Sequence, residues 1–480
     1  MELKHFVALT LIAAATGGAA LLSVLSQRLR DLMFLLMVAG AAVTERLDVN
    51  FLSREWYRGT SRGIEVSLVD ILAFGVLAGS LLVPRQREAR WFWPAGLGFL
   101  VVFSVYCAGS VLGSEPKMFG VFELWKLARG LGFMLAAAMF ARTSRELRLL
   151  VLGLVIAAGL EMLIGLRQRL LLGMQRVPGS IDHPNSLSMY LCLLGPVLMA
   201  AAAADFPRWL RRAATIGLGA AAVTVLLTLS RAGVPAFALG VAGAALWCVS
   251  WRLTFKKILV LGVAAALSAG LIIASWGPLM ARYGEATLAE EYTEPGDGRG
   301  IYLRWAAMIL EDHPWGVGLN NWSHAVSKTY GARQGAMYAD YDTRREAAAL
   351  RGGERTHYAA PAHNLGALVA GELGLAGLGL FSLLWLRWFQ IGAGFLSRRS
   401  DDPMHAIGVG IFFGIAAVFL QSQTEWTWRH APIFITFHIL VGVLASLHWH
   451  RKNLRRAARS QPEGIFLDAA TPSPAEAVAP

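Results

Sequence analysis

The sequence predicts an all-α, polytopic integral membrane protein. It should have about 12–13 transmembrane helices and one large, mostly helical loop facing outward. Composition is the first reason. Of 480 residues, 55% are hydrophobic and only 16% charged, with a mean hydropathy of +0.49. Soluble domains carry about a quarter charged residues. The second reason is run length: windows of about 20 nearly charge-free residues recur, which is the span of a bilayer. The third is texture. The runs are continuous rather than alternating, so helices rather than barrel strands must satisfy the backbone in lipid.

Taken in order, the first apolar run is Phe6 to Leu25, after Lys4. Its length suits a span and further spans follow, so it is read as a retained helix and not a cleaved signal. Further spans are expected at roughly 31–49, 64–83, 91–112, 118–141, 147–172, 186–204, 213–229, 232–250 and 257–276. Three more follow at about 363–389, 405–421 and 432–449. The chain then divides into a bundle over 1–276, a loop domain over 277–362, C-terminal helices over 363–450 and a tail over 451–480. The tail is basic up to Arg459, then rich in Pro and Ala, and is expected to be disordered.

The formal charge of +12 does not point to nucleic acid. Its arginines fall in alternate loops: Arg28/Arg30, Arg85/Arg87/Arg90, Arg142/Arg145/Arg148, Arg208/Arg211/Arg212, Arg252/Lys256/Lys257 and Arg398/Arg399. That pattern assigns those loops to the cytoplasm, where they also attract anionic lipid headgroups. One outward loop, 44–63, carries Arg46, Arg54, Arg58 and Arg62, but Glu45, Asp48 and Glu55 offset them. Cys107, Cys192 and Cys248 all lie in apolar runs and read as small core residues.

The polar stretch from Trp276 to Pro361 is far longer than an ordinary connection, so a functional role is expected of it. It holds most of the tyrosines, together with Trp305, Trp315 and Trp322. Such rings suit either a membrane interface or the face of a sugar. Tyr302 to Asp312 shows helical apolar spacing, and Pro314, Gly316 and Gly318 then break it into turns. Residues 333–356 alternate Arg and acidic residues and read as a solvated helix. Asp340-Tyr341-Asp342 is an Asp-x-Asp triplet without the βαβ surroundings of a metal-using transferase. His313, His357 and His363 lack compact zinc spacing. No metal or other cofactor is expected.

The candidate chemistry lies at helix ends facing outward. His363 opens an apolar helix and can act as a general base or simply satisfy the helix terminus. Arg231 sits in the turn Leu229-Ser-Arg-Ala-Gly233, where an ionisable group is costly; it suits phosphate oxygens or a lipid headgroup. Arg304, beside Trp305, takes the same two readings. Arg299 lies in Gly296-Asp-Gly-Arg-Gly300, a turn able to approach a ligand. In Arg176 to Asn185, His183 and Asn185 precede a helix; Asn185 is a natural N-cap or lines the same mouth. Glu161, Lys126 and Arg129 fall inside spans and must be paired or face water.

Several of these segments together resemble the O-antigen ligase and polymerase superfamily. They are Pro361-Ala-His363-Asn364 through Glu372, Gly300-Ile-Tyr-Leu-Arg304-Trp305 with His313-Pro-Trp-Gly-Val-Gly318, Leu229 to Gly233, and Ile181-Asp-His-Pro-Asn185. The resemblance covers roughly 160–450. It implies a metal-independent, inverting transferase of the bacterial inner membrane, working at the periplasmic face. The donor would be a glycan on undecaprenyl diphosphate. The acceptor would be lipid A-core for a ligase, or another lipid-linked glycan for a polymerase. Arg231 and Arg304 would hold the diphosphate and His363 would take the acceptor's proton. The implied fold has about twelve helices, one fewer than the spans counted above. Set against this are a small-anion transporter with Arg231 and Glu161 in its pathway, and a scaffold in an export complex.

Overall fold

The structure is a computed structural model. It describes residues 3–54, 56–83, 91–249, 277, 299–334, 358–426, 428 and 430–460. The expected span at 257–276, the loop segments 278–298 and 335–357 with the Asp340–Asp342 triplet, and the tail after 460 lie outside the described residues.

Helices dominate. They run α1 (Leu3–Leu25), α2 (Gln27–Gly40), α3 (Leu68–Leu82), α4 (Leu97–Leu112), α5 (Lys117–Phe140), α6 (Ser144–Leu170), α7 (Pro184–Ala203), α8 (Arg208–Thr228) and α9 (Gly233–Cys248). The loop domain contributes α10 (Gly300–Asp312) and a short helical stretch from Trp322 to Arg333 with a π turn at Val326–Tyr330. Then come α11 (Leu365–Ala393), α12 (Pro403–Gln421) and α13 (Ala431–Ser460). Among the described residues, seven helices are long and apolar enough to cross a membrane, and α3, α4 and α9 are shorter apolar helices.

Two elements differ from expectation. The span expected at 31–49 is the 14-residue α2, followed by a 3-10 turn over Ala41–Arg46. The 44–63 region is not all loop: Asp48–Phe51 (β1) pairs antiparallel with Ile64–Ser67 (β2), with Val49 opposite Val66. Arg54, Arg58 and Arg62 of that charge cluster fall between the two strands, and Arg46, in the 3-10 turn before them, reaches Asp182 at 3.5 Å.

The core centres on α7 and α13, which are almost entirely buried. Helix α7 packs against α8, α9 and α12. Small residues permit this: a Cβ on Gly414 would lie 2.9 Å from the Leu193 carbonyl oxygen, and one on Gly233 would lie 2.1 Å from Ser188 Oγ. By contrast α1 is mostly exposed, with Phe6, Leu11 and Leu25 bare, as a lipid-facing helix requires.

The charges of α5, a helix predicted to span at 118–141 but outside those seven, have partners, as does Glu161 of α6. Arg129 binds Asp70 through Nε at 2.8 Å and Nη2 at 2.9 Å. Lys126 lies 3.7 Å from Glu123, and the fully buried Glu161 accepts from the Ser180 amide at 3.0 Å. Each of the three thus has a partner inside the bundle.

Helix α11 bends at Gly374, whose φ of 67° interrupts the helical ladder. The carbonyls of Gly371 and Glu372 accept instead from Val317 at 3.0 Å and Gly318 at 2.8 Å. That bend seats the turn Pro314–Gly318 against α11.

Candidate functional site

The loops that bear the candidate residues meet on one end of the bundle. His363 sits at the entrance to α11, but the helix cap is Asn364, whose Oδ1 accepts from Ala367 N at 2.9 Å. Capping therefore does not account for His363. Asn364 also donates through Nδ2 to the Gln423 carbonyl at 2.9 Å, and Leu365 N bonds Ser422 O at 3.0 Å. These bonds lock the α12–α13 loop against the histidine.

That loop supplies the partner of His363. Glu425 Oε1 lies 2.6 Å from His363 Nδ1, and the glutamate side chain is only 2% exposed. Trp426 stacks on the imidazole at 5.5 Å with planes 12° apart, and Tyr302 of α10 flanks it at 5.5 Å. Burial pushes the Glu425 carboxyl up, but the hydrogen bond and charge of His363, with the charges of His183 and Arg299, bring it down to about 2. An ionised carboxylate only accepts hydrogen bonds, so Nδ1–H donates, and the ring in its neutral form would carry its lone pair on Nε2. The imidazole is 24% exposed, so a substrate can reach it.

Beside Glu425 is a small polar cavity lined by Arg176, Asn185, Ser230, Arg231, Ala232, Arg299, Gln421 and Thr424. Three guanidinium groups face one carboxylate, so the cavity is cationic. About 10 Å³ of it is open, room for a single water. Arg231 is held by a sharp turn: Leu229 has a left-handed φ of 49°, and Ser230 Oγ accepts from Gly233 N at 3.2 Å. A β-branched or bulky side chain pays strain in that conformation, and such strain gathers at functional sites. Arg176 donates to Thr228 O at 3.2 Å and to Asn185 Oδ1 at 2.9 Å.

Several expectations change here. Asn185 is not the cap of α7; the cap position is His183, and Pro184 opens the helix. Pro at that position leaves Asn185 inside the first turn, where its Nδ2 reaches Glu425 Oε2 at 3.4 Å. His183 lies beside Ser186 at 3.4 Å and contributes charge to Glu425 without lining the cavity. Arg304 is exposed on α10 and does not line the cavity. Trp305 is buried in a second core with Ile309, Trp322, Ala362 and Leu368, so it is neither an interface anchor nor a sugar platform. Glu372 lines a different cavity and accepts from the amides of Asn320 at 2.9 Å and Trp322 at 3.2 Å, a structural clamp.

Glu425, Arg176 and Gln421 were missed by residue-level reading. Gln421 bridges Asn185 O at 3.0 Å and Ser188 Oγ at 2.8 Å. The overlooked signal is Glu425-Trp426 inside a short loop between two apolar helices, an acid with no basic neighbour before Arg429. No metal-competent cluster of His, Cys, Asp or Glu occurs among the described residues.

No family model matches this chain, and a search of curated proteins finds no match. The geometry therefore defines the class: a helical, apolar bundle with a His–Glu dyad next to an arginine-lined cavity.

Proposed function

We propose that this chain is a membrane glycosyltransferase of the O-antigen ligase type. It moves a glycan from undecaprenyl diphosphate to an acceptor hydroxyl at the periplasmic face of a bacterial inner membrane, within a bundle of 12–13 spans. The observation that carries this reading is the His363–Glu425 pair at 2.6 Å, bordering a cavity that holds Arg176, Arg231 and Arg299.

The acceptor oxygen attacks the anomeric carbon as its proton passes to His363 Nε2. The bond from that carbon to the diphosphate oxygen breaks, and the diphosphate leaves as an anion. Guanidinium groups fit its oxygens and offset the charge that develops there. Glu425 holds the tautomer and stabilises the imidazolium that forms. The cavity is too small for a diphosphate as it stands, so the donor enters by spreading the arginine side chains. Arg299, which lines the cavity, replaces the exposed Arg304 as partner of Arg231.

The test incubates purified protein with undecaprenyl-diphosphate glycan and candidate acceptors, with and without chelator. His363→Ala should lower transfer by about 10²–10⁴-fold while the donor still binds. Transfer at the normal rate by this variant would sink the assignment. Arg231→Ala and Arg299→Ala should raise KM for the donor and also lower kcat, since these arginines meet the charge that develops as the diphosphate leaves. A second lipid-linked repeat used in place of lipid A-core would make the enzyme a polymerase.

A further inference from the structure

The C-terminal end of α4 meets the bend of α11 through the turn at 314–318. The Tyr106 hydroxyl donates to the Leu373 carbonyl at 2.8 Å, and Leu319 N donates to Ser110 Oγ at 3.3 Å. The turn lies close against the bend, where a Cβ on Gly374 would be 2.6 Å from Trp315 Cα. Three large apolar side chains nevertheless stay bare at this junction. Leu112 is 76% exposed, Trp315 71% and Leu375 64%.

The surface changes character across these three residues. On one side run the bare apolar faces of two helices. Val101, Val102, Val105 and Leu112 of α4 are exposed and recur at helical spacing, so they share a face. Leu375 and Leu386 of α11, three turns apart, are exposed on another. Exposure on α11 begins abruptly: residues 367–374 are buried, and Leu375 and Ala376 are bare. On the other side the lining is polar. Gly113 and Gly316, each one residue beyond Leu112 and Trp315, border an open cavity of about 400 Å³. Glu115, Asp312, His313, Lys328 and Arg333 line that cavity, a charged set that belongs in water.

We propose that the turn at 314–318 rests on the bilayer surface, with the Trp315 indole at headgroup level and Leu112 and Leu375 at the edge of the hydrocarbon. An indole is apolar over its rings and polar at its N–H, which suits that level. The bare faces of α4 and α11 run into the patch without a break, so the surface that covers them continues onto Trp315. Length agrees: from Leu375 to Ala393 the helix rises about 28 Å, the thickness of a bilayer's hydrocarbon core. A second exposed indole, Trp93, lies just before the other end of α4 and marks the opposite interface. Helix α11 then enters the hydrocarbon at Leu375, twelve residues after the start of the span predicted at 363–389. The bend falls where it can be tolerated. The carbonyls it releases at Gly371 and Glu372 accept from the turn, and lipid has no donors to offer them. This placement is independent of the proposed reaction.

The experiment uses the full chain in lipid nanodiscs, with Cys107, Cys192 and Cys248 replaced. A fluorescent dye is attached in turn to Trp315→Cys, Leu383→Cys and Lys328→Cys. Quenchers are a lipid with a nitroxide near its carbonyl, a lipid with one at mid-chain, and aqueous iodide. The dye at 315 should be quenched most by the shallow nitroxide, at 383 by the mid-chain nitroxide, and at 328 by iodide alone. Quenching at 315 by iodide alone would put the turn in water. Protection there from all three would mean that protein covers it, a second copy or another part of this chain. Either result overturns the proposal. The native ring gives a second readout: in a chain carrying fluorotryptophan, the resonance lost in Trp315→Phe should be relaxed by the shallow nitroxide, and an unrelaxed resonance counts equally against it.

Discussion

Glu425 is the residue on which the dyad turns. Replacing it by Gln keeps the shape and removes the charge that holds His363 Nδ1–H. The wrong tautomer then becomes accessible, and kcat should fall by at least about 10²-fold with little change in KM for the donor. Stability gives a second readout. The carboxyl is held below its ordinary 4.5 at about 2, so its stabilising contribution is fully present above pH 4.5 and lost as pH falls through about 2. The difference in unfolding midpoint between wild type and Glu425→Gln should therefore shrink across that window; a constant difference would argue against an ionised, histidine-bound carboxylate. His363, Arg231 and Arg299 were legible in the sequence because ionisable groups at the edge of an apolar run are costly. Arg304 and Trp305 stand at equally suggestive places, but the face of α10 they occupy is fixed by contacts with distant helices. One-dimensional spacing does not carry that information. Glu425 was hidden because its partner lies 62 positions away.

At the scale of elements, apolar run length fixed most helices closely: α10 was expected from Tyr302 to Asp312 and runs from Gly300 to Asp312. It failed where tertiary contacts override propensity. The β1–β2 hairpin alternates, Asp-Val-Asn-Phe against Ile-Glu-Val-Ser, but four residues a side are too few to stand out between apolar runs. The bend in α11 is equally silent, since Gly374 is one glycine among several in that helix. It matters because the turn Pro314–Gly318 sits there: a Cβ on Gly374 would lie 2.3 Å from Pro314 O. Gly374→Ala should cost ~1–3 kcal/mol from backbone strain alone and more from the clash. Gly379→Ala, which meets nothing within 4 Å, is the control and should be neutral or slightly stabilising. Comparable melting temperatures for the two variants would mean that the bend is not needed to seat that turn.

The whole molecule sorts its loops onto two ends. On one, Glu45 accepts from His430 Nδ1 at 3.2 Å, Ser180 Oγ bonds Ala42 O at 2.8 Å and Thr60 N bonds Asn320 Oδ1 at 2.8 Å, tying the hairpin to the dyad's loops. On the other, Arg145 pairs with Asp31, Asp205 N bonds Asp401 O at 2.7 Å and Arg451 bonds Ser397 Oγ at 2.8 Å. The described basic clusters fall on the second end, which the charge rule assigns to the cytoplasm. Single cysteines can test the orientation in a background where Cys107, Cys192 and Cys248 are replaced. Asp182→Cys, on the dyad's end and exposed, should react with an impermeant maleimide in intact spheroplasts; Lys452→Cys should react only after permeabilisation. The reverse pattern would put His363 and the arginine cavity in the cytoplasm. A periplasmic enzyme has no nucleotide sugar at hand and needs a donor that arrives already activated on lipid. A cytoplasmic site would have no such need, and the reason for reading the arginines as diphosphate ligands of a lipid-linked glycan would go with it.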